Sequence, residues 1–220
     1  MLTTFKLLLE AQGWATISIQ RPEENAFCRA LLDFACTLGD PVGTRTRALV
    51  DELKPRLVHE AHHPSLSAQV GHGLQPWHMD MAHCIEPARY LVMGMHGCSA
   101  GTAPTELLDA TALIPTALAH DAHCEPLLVR TGARSFYATI LAKDQPFVRF
   151  DPGCMQGATL RAKTLMQQLL TNTTVPTHTH HWAAGCVLVI DNWKMLHRRT
   201  DASTSVSRTL YRVTVMGAST

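Results

Sequence analysis

The chain has 220 residues, 46 % hydrophobic and 17 % charged, which suits one domain with a sizeable core and excludes disorder. Nineteen Lys and Arg against eighteen Asp and Glu leave a formal charge of +1 with no long run of either sign, so no nucleic-acid or membrane-surface partner is expected. Seven scattered cysteines without a Cys-x-x-Cys pair argue against a disulfide framework and against a thiolate zinc site.

Residues 3–11 read as a short helix stopped by Gly13, followed by an alternating strand over Trp14–Ile19 and a helix from Pro22 to about Leu38. Gly39-Asp40-Pro41 reads as the turn that closes this unit. The apolar run near the N-terminus is too short for a signal core and no stretch is long enough to cross a bilayer, so a cytoplasmic location is expected. Between residues 45 and 75, Pro55, Pro64, Gly71 and Gly73 break the pattern into loops and short strands. Past residue 75, short apolar or alternating runs follow one another: Tyr90–Met95, Phe147–Phe150, Gly185–Ile190 and Leu210–Met216. These read as strands, with one later helix over Ala158–Leu170. The expected fold class is mainly β with flanking helices (α+β): a sandwich, jelly roll or barrel rather than a doubly wound sheet.

Thirteen histidines direct attention to metal chemistry. In Gln75-Pro76-Trp77-His78-Met79-Asp80 an imidazole and a carboxylate stand two residues apart, and on a strand the period of two turns both to one face. A third ligand can come from His197, after the apolar strand 185–190 and the turn Asp191-Asn192. Two histidines and one carboxylate on one side of a metal leave the opposite positions open, as in non-haem Fe(II) oxygenases. Arg208, 11 residues past His197, offers a planar fork suited to an anionic cosubstrate. Arg212 follows four residues later on the same strand face, so two inward guanidiniums imply anionic ligands for both, or a paired carboxylate for one.

This ordered set resembles the taurine dioxygenase and clavaminate synthase-like branch of the Fe(II)/2-oxoglutarate-dependent oxygenases. The Asp191-Asn192-Trp193 turn before His197 is also similar to that of gamma-butyrobetaine hydroxylase, and Gly101-Thr102-Ala103-Pro104-Thr105 resembles the family's Gly-Gly-x-Thr turn. The resemblance runs from about residue 37 to the C-terminus. It implies a double-stranded β-helix (jelly roll), a single oxygenase domain over 1–220 with a mainly helical part to about residue 40 and a jelly-roll core over 75–216. It further implies His78, Asp80 and His197 as catalytic ligands of Fe(II), and Thr105 with Arg208 as the hold on 2-oxoglutarate. The activity it implies is O2-dependent oxidation, above all hydroxylation, of a C–H bond in a small polar or anionic molecule, with release of succinate and CO2. Asp80 argues against a halogenase, in which a small residue replaces the carboxylate. Arg198 stands where the family has Gly after the distal His, and Ala100 where it has the first Gly of the turn.

Arg212 matches a position that in taurine dioxygenase faces the substrate's anionic group, and Trp193 and Arg149 are further candidates for the substrate pocket. For Trp193, as for Trp77 and Met79, a place in the core is the alternative; for Arg149 it is a local pair with Asp151. His178-Thr179-His180-His181 reads as an exposed polar strand rather than a second metal tract. Two other functions stay open on the sequence: a cupin-like metalloenzyme that does not use 2-oxoglutarate, and a catalytically silent ligand-binding protein on the same fold.

Overall fold

The first helix, α1 (Leu2–Gln12), ends where Gly13 takes φ +79° and donates its N–H to the Leu9 carbonyl at 3.0 Å. A Cβ at Gly13 would lie 2.7 Å from the Met195 side chain, so positive φ and close packing both require glycine here. The computed structural model describes all residues except 1, 45–46, 62–65, 99–100, 133, 205–207 and 218–220. His62, His63, Ala100 and Ser207 therefore lie outside the described residues.

After α1 come β1 (Trp14–Ser18), α2 (Glu24–Cys36), β2 (Gly39–Val42), β3 (Asp51–Leu53) and α3 (Leu66–Val70). There follow β4 (Tyr90–Gly94), β5 (Thr105–Asp109), α4 (Ala119–Cys124), β6 (Leu127–Thr131), β7 (Arg134–Ala138), β8 (Met155–Gly157) and α5 (Leu160–Thr171). The last elements are β9 (His178–His180), β10 (Cys186–Asp191), β11 (Met195–Arg199) and β12 (Leu210–Gly217). Three antiparallel sheets result: β1-β10-β4-β12-β2 with β3 also on β12, then β11-β5-β9, then β7-β6-β8.

Burial on two faces explains the apolar runs. In β4 and β10, Val92, Val187 and Val189 face Phe27, Leu31 and Ala35 of α2, which recur at the four-residue spacing of a helix stripe. The alternate residues Leu91, Met93, Leu188 and Ile190 meet Leu107 of β5 and Met195 of β11, forming the layer between the large sheet and the second one. The second sheet's other face, with Leu108 and Leu196, packs on α5 and the third sheet through Leu165, Leu169, Leu127 and Val129.

Three readings need correction. Gly39-Asp40-Pro41 is the start of β2, not a turn; β2 lies at the end of its sheet, where a proline without an N–H is tolerated. Phe147–Phe150 forms no strand but one isolated bridge, Leu141↔Val148. Gln75–Asp80 likewise has a single bridge, His78↔His197, supplemented by Gln75 N–H to Arg199 O and Met79 N–H to Phe150 O. Alternation persists without a regular strand: Trp77 and Met79 enter the core beneath the second sheet, while His78 and Asp80 turn the other way. No helix among the described residues is long and apolar enough to cross a membrane.

Candidate metal centre and anion pocket

The bridge between His78 and His197 sets their rings side by side, centroids 4.4 Å apart. Asp80 Oδ1 lies 3.9 Å from His78 Nε2 and 3.7 Å from His197 Nε2. All three ligand atoms lie within 4.8 Å of one another, close to the span of donors that share one ion through bonds of roughly 2.0–2.2 Å. His78 Nδ1 donates to the Pro76 carbonyl at 3.0 Å, which orients the ring and turns Nε2 towards the cluster. Burial, then repulsion from His78, pushes the His197 pKa down to about 3 against the opposing pull of Asp80. A neutral imidazole is the form that binds a metal.

Burial is the largest single influence on Asp80 and acts to raise its pKa. The Arg212 guanidinium, then His197 and His78, outweigh it together and hold the carboxyl well below the usual carboxylate range. The backbone of Asp80 is fixed separately by Asn192, 1 % exposed. Its Oδ1 accepts the Asp80 N–H at 2.9 Å and its Nδ2 donates to the carbonyls of Asp80 at 3.0 Å and Ala88 at 2.8 Å. Beyond Asp80 the loop is held by Arg149, which donates to the carbonyls of Ala82, Cys84 and Ile85 at 2.5, 2.6 and 2.7 Å. Neither expectation for Arg149 describes this arrangement: the fork is buried against loop carbonyls, with no ion pair to Asp151 among the described residues.

Two residues along β5 from Leu107, the cross-strand partner of His197, Thr105 shares the face of that histidine, about 7 Å away along the strand. Its Oγ1 accepts from Arg208 at 2.8 Å and from Trp182 Nε1 at 3.1 Å, so the hydroxyl hydrogen remains to be donated. Arg208 is 5 % exposed and Thr105 1 %. Among the described residues Arg208 has no carboxylate partner, and its second terminal nitrogen has no hydrogen-bond partner at all. Burial, then the nearby Arg199, pushes the Arg208 pKa down to about 9, the signature of a cation held out of water without a counter-charge.

Arg212 is the opposite case. It donates to Asp80 Oδ2 at 2.5 Å and to Asp51 Oδ2 at 2.9 Å, and the two carboxylates, Asp80 first, raise its pKa despite burial. Of the two alternatives for the arginine pair, the paired carboxylate describes Arg212. Trp193 donates its indole N–H to the Pro87 carbonyl and packs on Phe147 and Arg89, a position in the scaffold. Arg198, where the family has Gly, points to the other face of β11, over the Trp77 ring at 4.0 Å and onto Glu106 at 2.6 Å; the departure therefore leaves the cluster untouched. His180 is buried rather than exposed, 4.5 Å edge-on to Trp182. Asp51 was not foreseen because it falls in the patternless segment 45–75.

Residues 116–214 match the family described as Taurine catabolism dioxygenase TauD, TfdA family. The match takes in His197, Arg208 and Arg212 and stops short of His78, Asp80 and Thr105. No curated protein matches the chain by sequence. Solved structures do by fold: an asparagine oxygenase in complex with Fe(II), 2S,3S-3-hydroxyasparagine and succinate has TM-score 0.72 at 17 % identity, covering 98 % of this chain and 77 % of that one. The non-haem iron oxygenase OrfP, with Fe and alpha-ketoglutaric acid, has TM-score 0.67 at 20 % identity over 98 % and 78 %. PvcB from Pseudomonas aeruginosa has TM-score 0.67 at 16 % identity over 98 % and 80 %. At these identities the likeness is one of fold, and the chain has the fold of those structures.

Proposed function

We propose that the protein is an Fe(II)- and 2-oxoglutarate-dependent oxygenase that oxidises a C–H bond of a small polar or anionic molecule, with hydroxylation as the outcome. The observation that carries this reading is Arg208: a buried guanidinium without a carboxylate among the described residues, next to the Thr105 hydroxyl, which has a proton to give and shares the face of His197. A buried, unpaired cation is costly, and a site that keeps one is built for an anionic ligand.

In this reading His78, Asp80 and His197 hold the iron, and Arg208 with Thr105 binds the distal carboxylate of 2-oxoglutarate by a charge-assisted fork and a hydroxyl bond. The donor set fits the ion: two imidazoles and one ionised carboxylate on one side leave the other side open. When bound, Fe(II), 2-oxoglutarate and O2 supply oxidative decarboxylation to succinate and CO2 coupled to C–H oxidation. The protein contributes orientation: the Pro76 carbonyl turns His78, Asn192 fixes Asp80, and Leu107 and Met195 exclude water beside His197. Asp80 fills the position that a halogenase leaves for halide. The facing sheets are read as a double-stranded β-helix and the whole chain as one domain. Likeness to enzymes crystallised with hydroxyasparagine and (3S)-hydroxy-L-Arg supports a small polar substrate.

Anaerobic titration of the metal-free protein with Fe(II) and then 2-oxoglutarate tests this. A visible charge-transfer band that needs both additions is expected; its absence in folded protein overturns the reading.

A further inference from the structure

The two oxygens of Asp80 are not equivalent. Oδ1 faces both histidine Nε2 atoms, whereas Oδ2 is taken by Arg212 at 2.5 Å. The other end of the Arg212 fork is taken by Asp51, whose Oδ2 also accepts from Thr44 Oγ1 at 2.6 Å. Arg212 and Asp51 are direct cross-strand partners in the β12–β3 pairing, so this grip is set by the sheet register. A line Thr44–Asp51–Arg212–Asp80 thus runs from the sheet into the cluster, and both terminal nitrogens of Arg212 are engaged within the protein.

A carboxylate free to turn can present both oxygens to one ion and fill a further coordination position. We infer that Arg212 is a positioning residue: it confines Asp80 to a single inward-facing oxygen and so keeps a position at the metal open, rather than gripping the substrate. The inference rests on the metal-site reading proposed above. It also assigns β3, through Asp51, to the upkeep of the site.

The test uses anaerobic full-length protein with Fe(II) and 2-oxoglutarate and no substrate, read first by the charge-transfer band and then by the electron paramagnetic resonance signal that appears on adding nitric oxide. If the wild type gives no band, the metal-site reading itself fails. With the band present, the charge-balanced double variant Asp51→Asn, Arg212→Gln is expected to keep the band and to lose the nitric oxide signal by at least about tenfold at the same dose, the scale of effects seen when outer partners of metal ligands are removed. An unchanged signal overturns the inference, since a substrate grip has no consequence without substrate. Should the double variant not fold or not bind iron, Arg212→Lys decides. It keeps the charge but has one nitrogen for two carboxylates, so a weakened nitric oxide signal supports the positioning role and a wild-type signal overturns it.

Discussion

Arg208, two residues ahead of β12, and Arg212, its third residue, both turn towards the layer between the sheets, yet they live in opposite electrostatic worlds. Arg212 is held by two carboxylates, which outweigh burial and raise its pKa; Arg208 has one hydroxyl and, among the described residues, no carboxylate, and burial pushes its pKa down to about 9. Spacing alone therefore does not identify an anion site. A satisfied cation is part of the scaffold, and an unsatisfied buried one marks the place where a ligand completes the structure.

The largest effect is expected from removing the centre that both arginines adjoin. His78→Ala or His197→Ala is expected to abolish the charge-transfer band while the protein still unfolds cooperatively in urea; survival of the band in either variant refutes the ligand assignment. Next, Arg208→Met and Arg212→Met should separate two properties. Arg212→Met takes the guanidinium away from two buried carboxylates, Asp51 and Asp80, and should lower unfolding free energy without ligand by about 3–5 kcal/mol. Arg208→Met should leave that stability unchanged or raise it, while weakening 2-oxoglutarate binding by about 2–5 kcal/mol in calorimetry. Equal destabilisation by both would erase the distinction.

A smaller effect concerns pH. Burial, then His178, His181 and Arg208, pushes the pKa of His180 down to about 4 from 6.5. The unfolded chain therefore takes up a proton between pH 6.5 and 4 that the folded protein refuses. Stability from this group is present above pH 6.5 and lost as pH falls through that window, by at most about 1.4 kcal/mol per pH unit. In urea titrations across the window, His180→Gln should flatten the slope, and an unaltered slope contradicts the assignment. The smallest effect is that of Thr105→Val, which removes one hydroxyl donor beside Arg208. It is expected to weaken 2-oxoglutarate binding by about 0.5–1.5 kcal/mol, well short of the loss from Arg208→Met.

Much of the framework is local and was therefore readable. The helix stripe Phe27, Leu31, Ala35 and the doubly buried runs of β4 and β10 carry their burial in their own periodicity. Segment 75–80 kept its alternation even without a strand, because Trp77 and Met79 had a core to enter. Phe147–Phe150 was misread since a short apolar run looks alike whether it pairs along its length or at one point. The exposed reading of the 178–181 run failed at His180 because β5, whose Thr105 is its cross-strand partner, comes alongside only in the folded chain.

What the sequence determined by itself was the cast of the candidate site: an imidazole and carboxylate at spacing two, a distal histidine, a threonine turn and two arginines. Which arginine is neutralised depends on the folded chain. Asp80 and Asp51 reach Arg212 across 132 and 161 positions, and Asp51 comes from a segment with no readable pattern. Charge pairing of this kind follows from strand register between distant parts of the chain, and register is set by the packing of whole sheets rather than by any local run of residues.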